Sequence, residues 1–310
     1  MRAIGLESFE EGPKLLDLPV PEVGPGEVLV KVSFASINGY DVSVAAGRVK
    51  DYMEHRFPVV LGKDFAGTVE AVGDGVTRVE PGELVFGVLM REYVGDGTFA
   101  DYVIIPESIG LTKLPSGLES SVAGAVGLAG TAAHTSISAV RPSDGETLLI
   151  GGATGGVGAQ AIQLARRLGA SVIATARPGK EADFVSGFGA GQTVDYAGDI
   201  TTQVRRIYPD GVDAAIHLAG DGFELAELVR AGGRFASTLG LGPDNFVDRD
   251  LEATSVIAMP TGDVLDELAA RALRGELEVP IERTYKLEEV PGALDDFAQG
   301  TLGKFGVSVS

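Results

Sequence analysis

The sequence has no cysteine, no tryptophan and only 3 histidines in 310 residues. The missing cysteine excludes disulfides, thiolate metal sites and a cysteine nucleophile, and removes the redox clue to compartment. His55, His134 and His217 are scattered without metal-ligand spacing, so each reads as a structural or surface residue and no metal is expected. Positive charge is also scarce: 25 Lys and Arg stand against 44 Asp and Glu, for a net charge of −19. That balance disfavours phosphate-driven binding to nucleic acid and docking on an anionic membrane. No run approaches ~18 uninterrupted apolar residues, and the opening MRAIGLESFEEGPK has no apolar signal core. A cytoplasmic protein is the resulting expectation.

What is present is apolar and rich in glycine. Hydrophobic residues make up 45%, enough for a sizeable core, and the 44 glycines punctuate turns throughout the chain. Residues 147–177, TLLIGGATGGVGAQAIQLARRLGASVIATAR, are the organising stretch. A β-branched and leucine run stops at Gly151 and Gly152. Val157, Ala161, Leu164, Ala165 and Leu168 then recur at helical spacing, Gly169 sits where a helix C-terminal glycine is expected, and residues 171–176 form a second apolar run. This is a βαβ unit with a dinucleotide fingerprint in its turn, spelled Ala153, Thr154, Gly155, Gly156, Val157, Gly158. Gly155 removes a side chain where a pyrophosphate approaches. Gly158 lets the helix lie close to the strand, and free N–H groups at the helix start face the phosphates. No Asp or Glu occupies the tip of the second strand, where NAD-binding turns place one. Arg177 stands there instead and suits a 2′-phosphate, because a guanidinium binds phosphate in a fork; Lys180 adds charge. The cofactor expected is NADP(H).

The first ~110 residues read as short strands with few helices, which suggests a β-barrel or sandwich-like unit. The clearest strand is 27–35, where Val28, Val30, Val32 and Phe34 alternate against Leu29, Lys31 and Ser33. Residues 38–46 read as a short helix. The pattern changes near Leu118: residues 121–128 and 131–139 read as two helices with Gly130 between. Strands and helices then alternate as a doubly wound parallel sheet, with a helix over 223–231, a fifth strand over 234–239 and a sixth over 256–259. The tail carries a helix over 263–274 and strands over 282–287 and 305–309 that have no place in that sheet, so the chain is expected to return to its first domain. The boundaries are then 1–118 with 262–310 for one domain and 119–261 for the nucleotide domain, and the ligand cleft is expected between the domains, at the carboxyl ends of the sheet strands.

These segments together resemble the medium-chain dehydrogenase/reductase superfamily, in its zinc-free quinone oxidoreductase-like branch. Residues 61–73, LGKDFAGTVEAVG, look like the block G-x-D-x-x-G-x-V-x-x-V-G. Residues 79–87 look like the P-G-D-x-V segment with Glu83 for Asp, and residues 98–106 like G-x-x-A-E-Y-V with Asp101 for Glu. Gly130, Thr131 and Ala132 match the G-x-T-A step, and Gly303 with Lys304 opens a closing strand. The resemblance implies an α/β chain, a GroES-like β-barrel-type catalytic domain joined to a Rossmann domain. The zinc-ligand positions of the metal-dependent branch are matched by Asn38 and Lys63, neither a normal zinc ligand.

Hydride transfer is then expected to reach an electrophile that needs little polarisation, a quinone or an α,β-unsaturated carbonyl. The resemblance places Asn38 and Asp41 beside the nicotinamide and substrate, with Asn38 donating its amide to the substrate carbonyl or serving only as a helix N-cap. Tyr52, with Tyr40 as competitor, donates a proton or lines the pocket. Thr131, Leu218, Ala219, Gly220, Leu239 and Gly240 are implied near the nicotinamide half, Tyr196 by the adenosine phosphate, and Lys304 at the cofactor phosphates. A homodimer is implied as well. Two further readings are a non-catalytic, crystallin-like NADPH-binding protein and an enoyl-thioester reductase serving one pathway.

Overall fold

The alternating valines from Val28 onward build the strand Glu27–Ile37, around which the first unit is assembled. The computed structural model describes residues 1–309. Glu27–Ile37 pairs antiparallel with Asp64–Val72, with Tyr102–Pro106 and with Lys304–Ser308. Leu84–Val88 and Leu111–Lys113 extend the sheet on one side and Ile281–Lys286 on the other. Arg2–Leu6, Lys14–Asp17 and Val59–Val60 form a second, three-stranded sheet. Val28, Val30, Val32, Phe65, Phe99 and Ile105 are buried together as the core of this unit. The first unit comprises Met1–Leu128 and the chain from Pro260 onward, and Ala129–Met259 form the second, so the first division falls at Leu128 and not at 118.

The second unit is a six-stranded, all-parallel sheet. Its order is Gln192–Val194, Ser171–Thr175, Thr147–Gly151, Val212–His217, Val229–Ser237, Leu251–Ser255. Numbered within the unit this is 3-2-1-4-5-6, the Rossmann order, which reverses between the first and fourth strands.

Three expectations need correction. The two helices split at Gly130 are one helix, Ser120–Val140. The helix runs unbroken through Gly130, and two of its other glycines, Gly124 and Gly127, are contact positions. A Cβ on Gly124 would meet the Phe34 carbonyl oxygen at 2.9 Å, and one on Gly127 would meet Asp64 Oδ1 at 2.9 Å. The helix expected over 223–231 ends at Glu227, because residues 229–231 already belong to the fifth strand. The sixth strand is Leu251–Ser255, not 256–259. Among the described residues, no helix is long and apolar enough to cross a membrane.

Candidate active site

Strand register brings four polar side chains of the first unit to one buried point. Ser36 lies opposite Asp64 where two antiparallel strands meet, and Phe305 lies opposite Ile37, which sets Lys304 beside Asn38. Asp64 Oδ2 accepts from Ser36 Oγ at 2.6 Å, Asn38 Nδ2 at 2.9 Å and Lys304 Nζ at 3.2 Å. Its other oxygen accepts from the Leu128 backbone N–H at 2.7 Å. Lys304 Nζ also donates to Asn38 Oδ1 at 2.6 Å and to the Ile37 carbonyl at 3.1 Å. The Lys304 and Asp64 side chains are 3% and 0% exposed. A charged pair so buried holds only when its remaining donors and acceptors are also met, as they are here.

Within this arrangement the polar hydrogens of Asn38 and Lys304 are already engaged. Asn38 has two amide hydrogens, and they go to Asp64 and to the Ser36 carbonyl oxygen at 3.3 Å, which leaves none for a substrate carbonyl. Lys304 has three ammonium hydrogens and three partners inside the first unit.

Asn38 is the N-cap of the helix Gly39–Ala45, and Asp41 Oδ2 accepts its backbone N–H at 2.8 Å. Reaching back in this way is the work of an acid in a capping box. Burial pushes the Asp41 carboxyl up to about 7, and the neighbouring Asp64 carboxylate acts in the same direction. Asp41 borders a pocket with Tyr40, Gly62, Lys63, Leu89 and Tyr93. Lys63 Nζ stands over the Tyr40 ring, 5.1 Å from its centroid, and among the described residues it has no hydrogen-bond partner. Burial lowers the Lys63 pKa, while the charges of Asp41 and Asp64 raise it. Tyr40 Oη lies 3.5 Å from Met53 Sδ. Tyr52 stands outside this group, in a turn and 84% exposed, so Tyr40 is the tyrosine that the fold brings to the pocket.

In the second unit the glycine turn links Thr147–Gly151 to the helix Gly156–Arg167, with Gly155 at the N-cap. Ala153 is buried. A Cβ on Gly158 would meet Ala153 Cα at 2.5 Å, whereas one on Gly155 would meet nothing closer than the Gly152 carbonyl oxygen at 3.8 Å. Gly158 is therefore demanded by packing. Gly155 is not, and its missing side chain keeps clear the space in front of the helix N–H groups of Gly156 and Val157. Thr154 completes the turn, and Thr175 Oγ1 accepts the Gly152 N–H at 2.9 Å, tying the turn to the tip of the second strand. At the fourth and fifth strand ends, Gly220 and Gly240 have φ of +85° and +87° with open space on the Cβ side. Their loops, which carry Leu218, Ala219 and Leu239, are joined through His217. Its Nε2 donates to the Gly220 carbonyl at 3.2 Å, and its Nδ1 accepts from Ser237 Oγ at 2.9 Å. That hydroxyl in turn accepts the Leu239 N–H at 3.0 Å. Clear space before a helix start and two open loops at the strand ends fit a dinucleotide. Thr131 lies inside the helix Ser120–Val140 and is fully buried.

Arg177 and Tyr196 do share one neighbourhood, 5.6 Å from guanidinium carbon to ring centroid. Lys180 is exposed at the start of the next helix. Between them is a residue that the sequence reading passed over. Glu181 accepts from Arg177 Nε at 2.8 Å, from Arg177 N at 2.8 Å and from Tyr196 Oη at 3.1 Å. The NAD-binding pattern puts its acid at the strand tip. This one sits four residues later, in the first turn of Lys180–Gly187, and its signal was the i,i+4 Arg–Glu spacing.

Residues 24–116 match the alcohol dehydrogenase GroES-like domain, and residues 156–263 match the family described as zinc-binding dehydrogenase. The chain is 30% identical over 227 residues to the chloroplastic quinone-oxidoreductase QR1 of Triphysaria versicolor, covering 71% of this chain and 68% of that protein. It is 34% identical over 294 residues to a mycocerosic acid synthase-like polyketide synthase of Mycolicibacterium smegmatis, covering 87% of this chain but 13% of the synthase. A mycobacterial protein solved in complex with NADPH superposes with a TM-score of 0.87 at 26% identity, over 100% of both chains. With the Rossmann strand order and the glycine turn, these likenesses make the chain an oxidoreductase that belongs to the medium-chain dehydrogenase/reductase superfamily, in its quinone oxidoreductase-like branch.

Proposed function

We propose that the protein is a zinc-independent, NADPH-dependent reductase of quinones or α,β-unsaturated carbonyl compounds. The observation that carries this reading is the ammonium group of Lys304, seated between Asn38 and Asp64. In the metal-dependent relatives a cation is expected in this part of the site, held by ligands at the positions of Asn38 and Lys63. Here a fixed side-chain cation neutralises Asp64, and an amide and an ammonium replace the ligands. Such a donor set suits no zinc ion. Without a Lewis acid, the substrate must be one whose reduction needs little carbonyl polarisation.

The bound cofactor supplies a hydride. The glycine turn at 153–158 would hold its pyrophosphate, the loops at 218–220 and 239–240 would hold its nicotinamide half, and Arg177 with Tyr196 would take the 2′-phosphate. The pocket of the first unit takes the electrophile. Lys63 has unspent protons there, and its charge stabilises the negative oxygen that develops as hydride reaches the conjugated carbon. Its lowered pKa eases release of the one proton required, so that one hydride and one proton together saturate the double bond or convert quinone to quinol. Tyr40 walls the pocket under Lys63 and excludes water.

The test is steady-state NADPH oxidation with 9,10-phenanthrenequinone and with a panel of short 2-enals, on protein dialysed against EDTA. Turnover that survives chelation, and is cut on the order of tenfold or more by Lys63→Ala, supports the assignment. Absence of turnover across the panel, with NADPH binding retained, supports the non-catalytic alternative instead.

A further inference from the structure

Arg177 is not a bare cation awaiting a phosphate. Its guanidinium Nε and Nη2 both contact one oxygen of Glu181, at 2.8 and 2.5 Å, and its own backbone N–H donates to the other oxygen at 2.8 Å. Tyr196 Oη donates to the same carboxylate at 3.1 Å. Glu181 is the more enclosed member, with its side chain 13% exposed against 58% for Arg177. The carboxylate thus sits at the centre of the very group that would read the 2′ position of the adenosine ribose.

From this we infer that Glu181 is the specificity-determining residue of the adenosine end, and that it limits the preference for NADPH over NADH. The inference rests on the reading of Arg177 and Tyr196 as the 2′-phosphate side. Two effects act together. Glu181 takes one edge of the Arg177 fork and the Tyr196 proton, so a phosphate meets only the remaining Nη protons and loses the bidentate Nε–Nη2 geometry that makes arginine selective. Its negative charge also lies within a few ångströms of an incoming dianion, at a partly exposed site where like charges still repel. A ribose that carries only a 2′-hydroxyl suffers neither penalty, because an uncharged hydroxyl can donate to the carboxylate. The sequence rule that the acid belongs at the strand tip is met here in another way: the acid comes from the following helix and shares the site with the arginine. The protein therefore accepts both cofactors, with NADPH favoured by less than an unopposed arginine would give.

Binding reads this out directly. The fluorescence of the reduced nicotinamide is titrated with wild type, Glu181→Gln, Glu181→Ala, Arg177→Ala and the Arg177→Ala/Glu181→Gln double variant. Glu181→Gln is expected to tighten NADPH by about tenfold and to change NADH by less than about twofold, the effect of removing one nearby charge. Glu181→Ala should shift the NADPH-to-NADH ratio in the same direction, and the double variant should lose the gain. An unchanged ratio in both Glu181 variants, while Arg177→Ala weakens NADPH selectively, would overturn the role of Glu181 and leave the Arg177 reading standing. Equal weakening of both cofactors by Arg177→Ala would overturn the Arg177 reading and this inference with it.

Discussion

Replacing Lys304 by methionine tests whether a buried charge pair organises the first unit. Methionine keeps most of the side-chain volume and removes the ammonium. Three acceptors then lose a donor: Asp64 Oδ2, Asn38 Oδ1 and the Ile37 carbonyl. Asp64 retains Ser36 Oγ, Asn38 Nδ2 and the Leu128 N–H, so the carboxylate stays hydrogen-bonded but has lost its countercharge. Breaking a buried pair from one side costs about 3–5 kcal/mol, a large part of a typical ~5–15 kcal/mol total. At a urea slope of ~2–3 kcal/mol/M, the midpoint should fall by about 1–2 M. Asp64→Asn should cost a similar amount by stranding Lys304. The double variant should cost less than the sum, with a coupling of at least about 2 kcal/mol. Equilibrium urea unfolding followed by circular dichroism measures all four corners of the cycle. A single-variant loss below about 1 kcal/mol with no coupling would refute the claim that the charges, and not simple packing, hold this point together.

Other outcomes follow from the same geometry. Asp41 carries a folded-state pKa of about 7 against an ordinary 3.8. The folded chain therefore holds a proton that the unfolded chain releases across about pH 4–7, and stability declines as pH rises through that window, by up to about 4 kcal/mol. Asp41→Asn should flatten this decline while still accepting the Asn38 N–H; urea midpoints that fall equally between pH 5 and pH 8 in both proteins would contradict it. Gly155→Val should leave the melting temperature nearly unchanged but abolish cofactor binding, whereas Gly158→Ala should cost about 1–3 kcal/mol by driving a methyl into Ala153; paired thermal melts and fluorescence titrations distinguish the two. Gly187 is exposed at the end of the helix Lys180–Gly187 with open space on its Cβ side, so Gly187→Ala should stabilise by roughly 0.4–1 kcal/mol in urea unfolding.

The parallel sheet was legible because its buried strands are β-branched runs that stop at glycines, and a glycine turn of that spacing has few other uses. Its edge was not. Leu251–Ser255 spells LEATS, with Glu252 turned outward to pair with Arg141, and a polar edge strand lacks the apolar run that marks a central one. The long helix reads as two in the sequence because glycine is a helix breaker by propensity, although Gly124 and Gly127 serve close approach within the first unit. The site was legible by residue type more than by arrangement. Lys304 reaches Asn38 across 266 positions and Asp64 across 240; only the antiparallel register reveals that these groups satisfy one another. Glu181 was missed for a smaller reason: an acid on the helix can reach the strand tip as well as an acid at the tip itself.

The central claim is that hydride passes to the conjugated carbon of an electrophile that no metal polarises. Reduction of a 2-enal with NADPH carrying deuterium at nicotinamide C4, on EDTA-treated protein, tests it most directly through the position of the label in the product. One deuterium on the β-carbon of the saturated aldehyde is the predicted result. Deuterium on the carbonyl carbon of an allylic alcohol would contradict the account, because that outcome is reduction of the carbonyl itself.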